Sequence, residues 1–270
     1  MWIDCLVVGG FQNLKITGVV IMVKIAVVLL SGGLDSTTTS AFAKSLGYEV
    51  HAITVHYCQK LSKEVLSAQK VTEKLGIIHK IIDISPFKEV AWYSALTSPE
   101  LFETPKGRAV EDMKDVPITY VPMRNTFLIV LAASYLESLL LDNIERKNIK
   151  PRDIDAKIFI AANYLDYSGY PDCRPEYYEK FNELMNVASK IGAEYGVEMR
   201  IETPLLYKGK REIVELGIEL NAPLEWSWSC YEGGEVPCGK CDSCILRAKG
   251  FREAGIKDPL IERLKQEGRL

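Results

Sequence analysis

Ser31-Gly32-Gly33-Leu34-Asp35-Ser36 is a segment that can do chemistry on a phosphate. Two adjacent glycines let a backbone approach an oxyanion, and a helix starting here points its unpaired N–H groups at it. Ser31 and Ser36 add hydroxyl donors. Asp35 has the wrong charge to touch a phosphate and is better suited to hold a magnesium ion that does. The segment lacks the Lys of G-x-x-x-x-G-K-[ST], so it is not a Walker loop. A second constellation is Cys230, Cys238, Cys241 and Cys244, spaced C-x7-C-x2-C-x2-C. The tight triplet wraps three thiolates around one ion and Cys230 closes a tetrahedron. Zn²⁺ favours that all-sulfur geometry, and with no open ligand position the metal is structural. An iron–sulfur cluster is the main rival, because triplets of this spacing also bind such clusters. A redox C-x-x-C pair fits less well, since four grouped thiols would compete for metal.

The elements that must position these residues follow from the hydrophobic pattern. Residues 24–30 are a continuous apolar run of strand length, as expected of a central parallel strand buried on both faces. A helix over 36–46 ends at Gly47, a strand follows at 50–55, a helix at 62–75 ends at Gly76, and a third strand covers 77–84. This βαβαβ order implies a parallel sheet with helices on its faces. Residues 85–116 carry Pro86, Pro99 and Pro105 with little periodicity and read as a loop excursion over the site. Residues 123–141 predict a helix apolar almost all round, hence buried. The charged stretch 142–155 reads as a surface insertion. A strand at 157–162, one helix over 175–195, a strand at 198–202 and a short amphipathic helix over 210–220 complete the domain. The expectation is an α/β fold with a doubly wound, mostly parallel five-stranded sheet and a small C-terminal zinc-binding helical region. Its divisions are an N-terminal extension at 1–21, a nucleotide-binding domain at 22–220 and a metal-binding region at 221–270. In such sheets ligands bind beyond the carboxyl ends of the strands. The segments 31–36, 57–60 and 163–174 each follow a strand and can converge there, with the backbone of Ile53 and Val55 offered to an adenine ring.

Composition bounds the partners. The 270-residue chain is 47% hydrophobic with net charge −3 and has no basic block at either end. Gripping a polyanion needs clustered Lys and Arg, so a small substrate is expected, with no direct nucleic-acid contact. The start of the chain lacks both a span of about 20 apolar residues and a basic leader, which predicts neither a membrane anchor nor a signal peptide. Met22 lies just before the first convincing strand, so residues 1–21 read as an extra hairpin or an upstream start. Seven cysteines, an odd number, argue against a disulfide scaffold and for a cytoplasmic protein.

The turn at 31–36 resembles the PP-loop of ATP pyrophosphatases, which cut ATP between its α and β phosphates. The chain as a whole, over about 22–259, resembles the 7-cyano-7-deazaguanine synthase family. The resemblance rests on that turn and on Tyr120-Val121-Pro122-Met123-Arg124-Asn125. It also rests on Ser168-Gly169-Tyr170-Pro171-Asp172-Cys173-Arg174-Pro175-Glu176, on Trp228-Ser229-Cys230-Tyr231 and on the run 237–244. It implies an adenine nucleotide α-hydrolase-like sheet, a homodimer, and a C–N bond-forming ligase. In the implied reaction, ATP adenylates the carboxylate of 7-carboxy-7-deazaguanine and ammonia displaces AMP to leave an amide. A second ATP-dependent activation dehydrates the amide to a nitrile.

Roles then follow position by position. Nucleotide contacts are assigned to Leu30, Ser31, Gly32, Gly33, Leu34, Asp35, Ser36, Val55, Gln59, Lys60 and Arg124. Arg124 opens an apolar helix, where ATP phosphate would partner its charge, an acidic residue being the alternative. Lys210 sits at the positive end of a helix dipole, a conflict that an anionic ligand relieves; a solvated lysine is the plainer reading. With Asp35, these two form the catalytic set. Asp172 is placed to accept two parallel hydrogen bonds from a guanine-like edge, and Arg174 to pair with the substrate carboxylate or a phosphate. A mutual pair that stabilises the turn is the alternative for both. Tyr170 or Trp228 would stack on the base, Cys173 is packing rather than a nucleophile, and His51, His56 and His79 are structural. Where the family carries Tyr-Gly-Gln-Arg-His, this chain has Tyr57-Cys58-Gln59-Lys60-Leu61, which keeps the positive charge and loses Gly and His. The other readings are a tRNA-modifying, thiolase-like PP-loop enzyme and a non-catalytic ATP-binding sensor.

Overall fold

The computed structural model describes residues 22–56, 62–103, 116, 118–164 and 170–270. Gln59, Lys60 and the extension 1–21 lie outside the described residues.

The run predicted as a central strand forms β1, Val23–Leu29, and it is central. It pairs in parallel with β2, Glu49–His56, on one side and with β4, Ile154–Phe159, on the other. β3, Ile78–Asp83, and β5, Met199–Glu202, form the edges, giving the all-parallel order β3-β2-β1-β4-β5. β1 splits its side chains between two cores, as a doubly covered strand must. Ile25, Val27 and Leu29 face a cluster with Ile129 and Leu136, while Ala26 and Val28 face Ala43 and Phe159. Helix α1, Leu34–Ser45, follows β1, and α2, Ser62–Leu75, follows β2. The chain builds outward from β1 to β2 and β3, then returns to place β4 against β1's free side. The order therefore reverses between β1 and β4, and a crevice opens beyond their carboxyl ends.

Three elements depart from the sequence expectation. After a short helix α3, Phe87–Val90, within the loop excursion, the apolar helix α4, Arg124–Leu141, buries only one stripe. Asn125, Ile129, Ala132, Leu136 and Leu140 face inward, while Phe127 and Val130 are 37% and 48% exposed. With the five-residue π-helical turn that continues it, the run 124–146 is long and apolar enough to cross a membrane, yet its inner stripe packs into the sheet's core. That continuation also means that 142–155 is not a surface insertion: it extends α4 and then feeds β4, with Ile144 and Ile149 packed against the core. Finally, the helix expected over 175–195 is two, α5, Pro175–Ala188, and α6, Lys190–Tyr195. Ser189 between them is extended, and the N–H groups of Lys190 and Ile191 donate to Glu137 on α4. A tertiary partner thus replaces the intrahelical carbonyls at that point. Asn182 and Asn186 on α5 meanwhile bond the backbone of β5, closing that edge of the sheet.

Helix α7, Lys210–Glu219, packs against α8, Asp242–Glu253. The contact is close: a Cβ on Gly250 would lie 2.6 Å from Lys210 Cγ. Helix α9, Pro259–Gln266, buries Leu260 and Leu264 against Trp228 and the cysteines. His51 bonds Tyr135 and Glu49, and His79 bonds Thr54 and Thr72, the structural roles expected of them.

Candidate active site

The Ser31–Ser36 hydroxyl pair, 3.0 Å apart, closes the turn that leaves β1. Gly33 N–H donates to Ser31 Oγ, and Ser36 Oγ donates to Gly33 O. Gly32 has φ +88°, and a Cβ there would lie 2.4 Å from the Glu64 carbonyl oxygen, so only glycine fits beneath the start of α2. The Gly32 carbonyl accepts from Ser67 Oγ and from Trp228 N–H, each at 2.7 Å. Leu34 N–H donates to Ser229 Oγ at 3.4 Å. Helix α1 has no side-chain cap, so its first-turn amides remain available to an anion. The phosphate cradle is thus clamped by α2 on one side and by the segment leading into the cysteines on the other.

Asp35 and Lys210, 175 residues apart, form an ion pair. Lys210 Nζ donates to both carboxylate oxygens at 3.0 and 2.8 Å, with its side chain 8% exposed. The solvated-lysine reading is therefore corrected: the anion relieving the helix-end conflict is Asp35 itself. Lys210→Met strands a poorly hydrated carboxylate and is expected to cost about 3 kcal/mol of stability. Adding Asp35→Asn should recover most of that loss, and urea unfolding of the three variants measures it.

A cleft of about 400 Å³ opens from this turn, lined by Ser31, Asp35, Ser36, Arg124 and Trp228. Its floor is the end of β1 and β2, with Leu30, Ile53, Thr54 and Val55, which include the two residues, Ile53 and Val55, whose backbone the sequence offered to an adenine ring. Gly33, Leu34 and Lys210 line an adjoining cavity that shares Ser31, Asp35, Ser36 and Trp228. A further depression, lined by Lys150 to Arg152 with Tyr195 and Gly196, precedes β4 at the other end of the sheet and holds none of the predicted residues. Arg124 enters the cleft because Met123 adopts a left-handed conformation, φ 57°, just before α4 begins. Its Nε donates to Asn125 Oδ1.

The far wall is Thr119, Asn125, Asn163, Tyr170 and Cys173. Tyr170 Oη and Thr119 Oγ1 are 3.0 Å apart. Asp172 is buried between the lining residues Tyr170 and Cys173, and its Oδ1 has no hydrogen-bond partner among the described residues. Burial raises its carboxyl above the usual carboxylate range, against the pull of Arg124. Burial also pushes the Cys173 thiol up to about 11, in keeping with packing rather than nucleophilic attack. One assigned residue differs from its expected placement. Arg174 is exposed at the start of α5 and does not line the cleft. Trp228 does line it, but its Nε1–H is spent on Cys230 O and its backbone on Gly32.

Sequence reasoning missed Glu64, which lines both cavities from the first turn of α2. An acidic residue there reads as an ordinary complement to the helix dipole, which hid it. Its neighbour Lys63 pairs with Glu235 at 2.9 Å.

The four cysteines do come together. One sulfur from each lies within 4.8 Å of all the others. Tetrahedral thiolates at zinc-like bond lengths sit about 3.8 Å apart, so little closure is needed. Backbone N–H groups of Lys240 and Cys241 already donate to Cys238 Sγ, and hydrogen bonding from Cys244 holds Cys241 down to about 5. The donor set fits a closed, four-coordinate metal.

A glycine-rich turn after the central strand of a parallel sheet, opening an uncapped helix at the switch point, defines a nucleotide-binding protein of the PP-loop type. Residues 25–255 match the family described as queuosine biosynthesis protein QueC, and the chain belongs to it. It is 45% identical over 237 residues to a 7-cyano-7-deazaguanine synthase of Thermoplasma acidophilum, covering 88% of this chain and 91% of that one. Another such synthase, from Nostoc punctiforme, is 40% identical over 87% of this chain and 98% of its own.

Proposed function

We propose that this protein is an enzyme that converts 7-carboxy-7-deazaguanine, ammonia and ATP into 7-cyano-7-deazaguanine. The observation that carries the reading is one cleft with two chemically distinct ends. One end is the phosphate turn, with Arg124 and Lys210 beside it. The other is the Tyr170–Asn125 wall, with the buried Asp172 behind it, whose Oδ1 has no hydrogen-bond partner among the described residues.

A carboxylate is a poor electrophile, and adenylation supplies it with a leaving group. Ser31, Gly33, Ser36 and the first amides of α1 hold the pyrophosphate that departs. Arg124 and Lys210 stabilise the charge that develops on the phosphoryl oxygens. Asp35 is the residue that would hold magnesium, whose positive charge offsets that of the phosphates. Leu30, Ile53 and Val55 enclose the adenine, with Gln59 and Lys60 assigned to the nucleotide from sequence alone. Asp172 reads the base edge and Tyr170 packs on it. Arg174, exposed in the chain alone, is not needed for this assignment.

The cysteine cluster holds zinc, and residues 221–270 act as its scaffold on the nucleotide-binding domain. Thiolates of this kind persist in a reducing compartment, which supports a cytoplasmic protein. Exposed apolar side chains, Phe127 and Val130 on α4 and Leu184 and Val187 on α5, support a homodimer.

Incubation with ATP, ammonium and 7-carboxy-7-deazaguanine is expected to yield the nitrile, with AMP and pyrophosphate from each activation, by mass spectrometry. Absence of nitrile overturns the reading. AMP release that depends on tRNA would favour the thiolase-like enzyme, and nucleotide binding without products the sensor.

A further inference from the structure

We propose that Glu64 is the proton acceptor in the two nitrogen-transferring steps, an assignment that rests on the synthase reading. Its place in the fold carries the argument. The backbone carbonyl of Glu64 presses on Gly32, which fixes the first turn of α2 over the phosphate turn. Glu64 borders the cavity shared with Arg124 and also the one shared with Gly33 and Lys210. With adenine along Ile53 to Val55 and the base against Tyr170, the C–O–P linkage of the acyl adenylate has to lie in the cleft that Glu64 lines. The carboxylate forms no hydrogen bond among the described residues, so it is not consumed by the fold.

The charged groups around it fit the role. Arg124 projects from the start of α4, and Asp35 on α1 is neutralised by Lys210 of α7. Glu232 lines the same cleft from the loop between Cys230 and Cys238, and Lys63 on Glu64's own helix is turned to Glu235. Burial pushes the Glu64 carboxyl up to about 7, despite Arg124, which suits a group that must gain and lose protons near neutrality.

The proton balance requires such a group. Ammonia adds to the acyl adenylate, giving a tetrahedral centre that bears NH₃⁺ and an alkoxide. One N–H proton passes to Glu64, the C–O bond to AMP breaks, and AMP leaves with the bonding electrons. In the second round the amide oxygen attacks the α-phosphorus of ATP and releases pyrophosphate. The resulting O-adenylated imidate, C=NH₂⁺, must lose two N–H protons as its C–O bond breaks to give the nitrile and AMP. Each passes to Glu64, which returns it to solvent before the next.

The test separates adenylation from nitrogen transfer. In Glu64→Gln, ATP–pyrophosphate exchange dependent on 7-carboxy-7-deazaguanine, run without ammonium, should stay within about threefold of wild type. Amide and nitrile formation should fall about 10²-fold, with loss of the acidic limb near pH 7. Glu64→Asp keeps a carboxylate and should retain that limb with partial rate. Exchange falling as far as product formation in both variants, or a raised magnesium requirement, would make Glu64 a phosphate or metal group and overturn the proposal. Full product formation in Glu64→Gln would overturn it too. A wild-type protein without exchange would instead break the synthase reading on which it stands.

Discussion

Removal of the metal that the four-cysteine cluster is proposed to hold is expected to reduce kcat/KM for ATP about 10³- to 10⁴-fold while the five-stranded sheet stays folded. The route runs through the backbone of residues 227–230. Trp228 N–H holds the Gly32 carbonyl, Ser229 Oγ receives Leu34 N–H, and Cys230 follows at once. Ser67 bridges the Gly32 and Trp226 carbonyls, so the phosphate turn and this segment share a hydrogen-bond network. Arg247 on α8 ties the same segment to the C-terminal helices, pairing with Asp258 and donating to Ser227 and Leu224. Without metal, four thiols within 4.8 Å must take up protons or separate, and the segment is freed at Cys230.

Losing two clamping hydrogen bonds costs about 1–3 kcal/mol, or roughly 10- to 100-fold in nucleotide affinity. A misplacement of about 1 Å at the reacting phosphate costs a further 10²-fold in rate. The sheet has its own cores, built from β1, α4, α5 and α1, which involve none of the four clustered cysteines. Treatment with a strong chelator, or Cys241→Ser, should therefore lower ATP affinity in calorimetry while far-UV circular dichroism changes little. Unchanged ATP affinity in metal-free protein would show that the cluster and the turn are independent.

Much of this site was legible in the sequence, for local reasons. The phosphate turn needs glycines at set positions and a strand before it, both visible within fifteen residues. The cysteine spacing states its own geometry. What the sequence hid is what depends on distant partners. Lys210 is assigned to a phosphate from sequence because its partner in the fold, Asp35, lies on another helix. The break at Ser189 is written in Glu137, on α4, rather than in the local sequence. The apolar helix α4 looked buried because composition cannot say how many of its faces a neighbour covers. Nothing in the local sequence sets Glu64 apart from an ordinary acidic residue in a first helical turn; its place follows only from α2 lying against the phosphate turn. Arg174 shared a motif with Asp172, yet the backbone turns one inward and the other out.

Asp172→Asn is expected to reduce kcat/KM by about 10⁴-fold while stabilising the unliganded protein. A carboxylate facing a ring N–H and an exocyclic amine accepts two charge-assisted hydrogen bonds. Asparagine keeps the shape but turns one acceptor into a donor, so donor meets donor in a buried site. Sites built around such polar pairs discriminate by about 10⁴–10⁵ when the pairing fails. Stability should move the other way. Burial raises the folded-state pKa of Asp172 above its unfolded value, so the native protein holds this proton more tightly than the unfolded chain. Its contribution to stability is therefore lost as pH rises from the unfolded value through the folded one. The cost of the buried charge is complete above the folded value, and there the neutral amide relieves it. Urea unfolding should accordingly find the variant more stable than wild type at pH 7, with the difference shrinking toward pH 4. The alternative role for Asp172, bracing the turn before α5, predicts the reverse. Its carboxylate accepts from the backbone of Asn125, and Tyr178 Oη–H donates to its carbonyl. If those contacts were its purpose, Asp172→Asn would lose stability and keep most of its kcat/KM. A residue that is costly to the free protein and indispensable to turnover is there for the substrate.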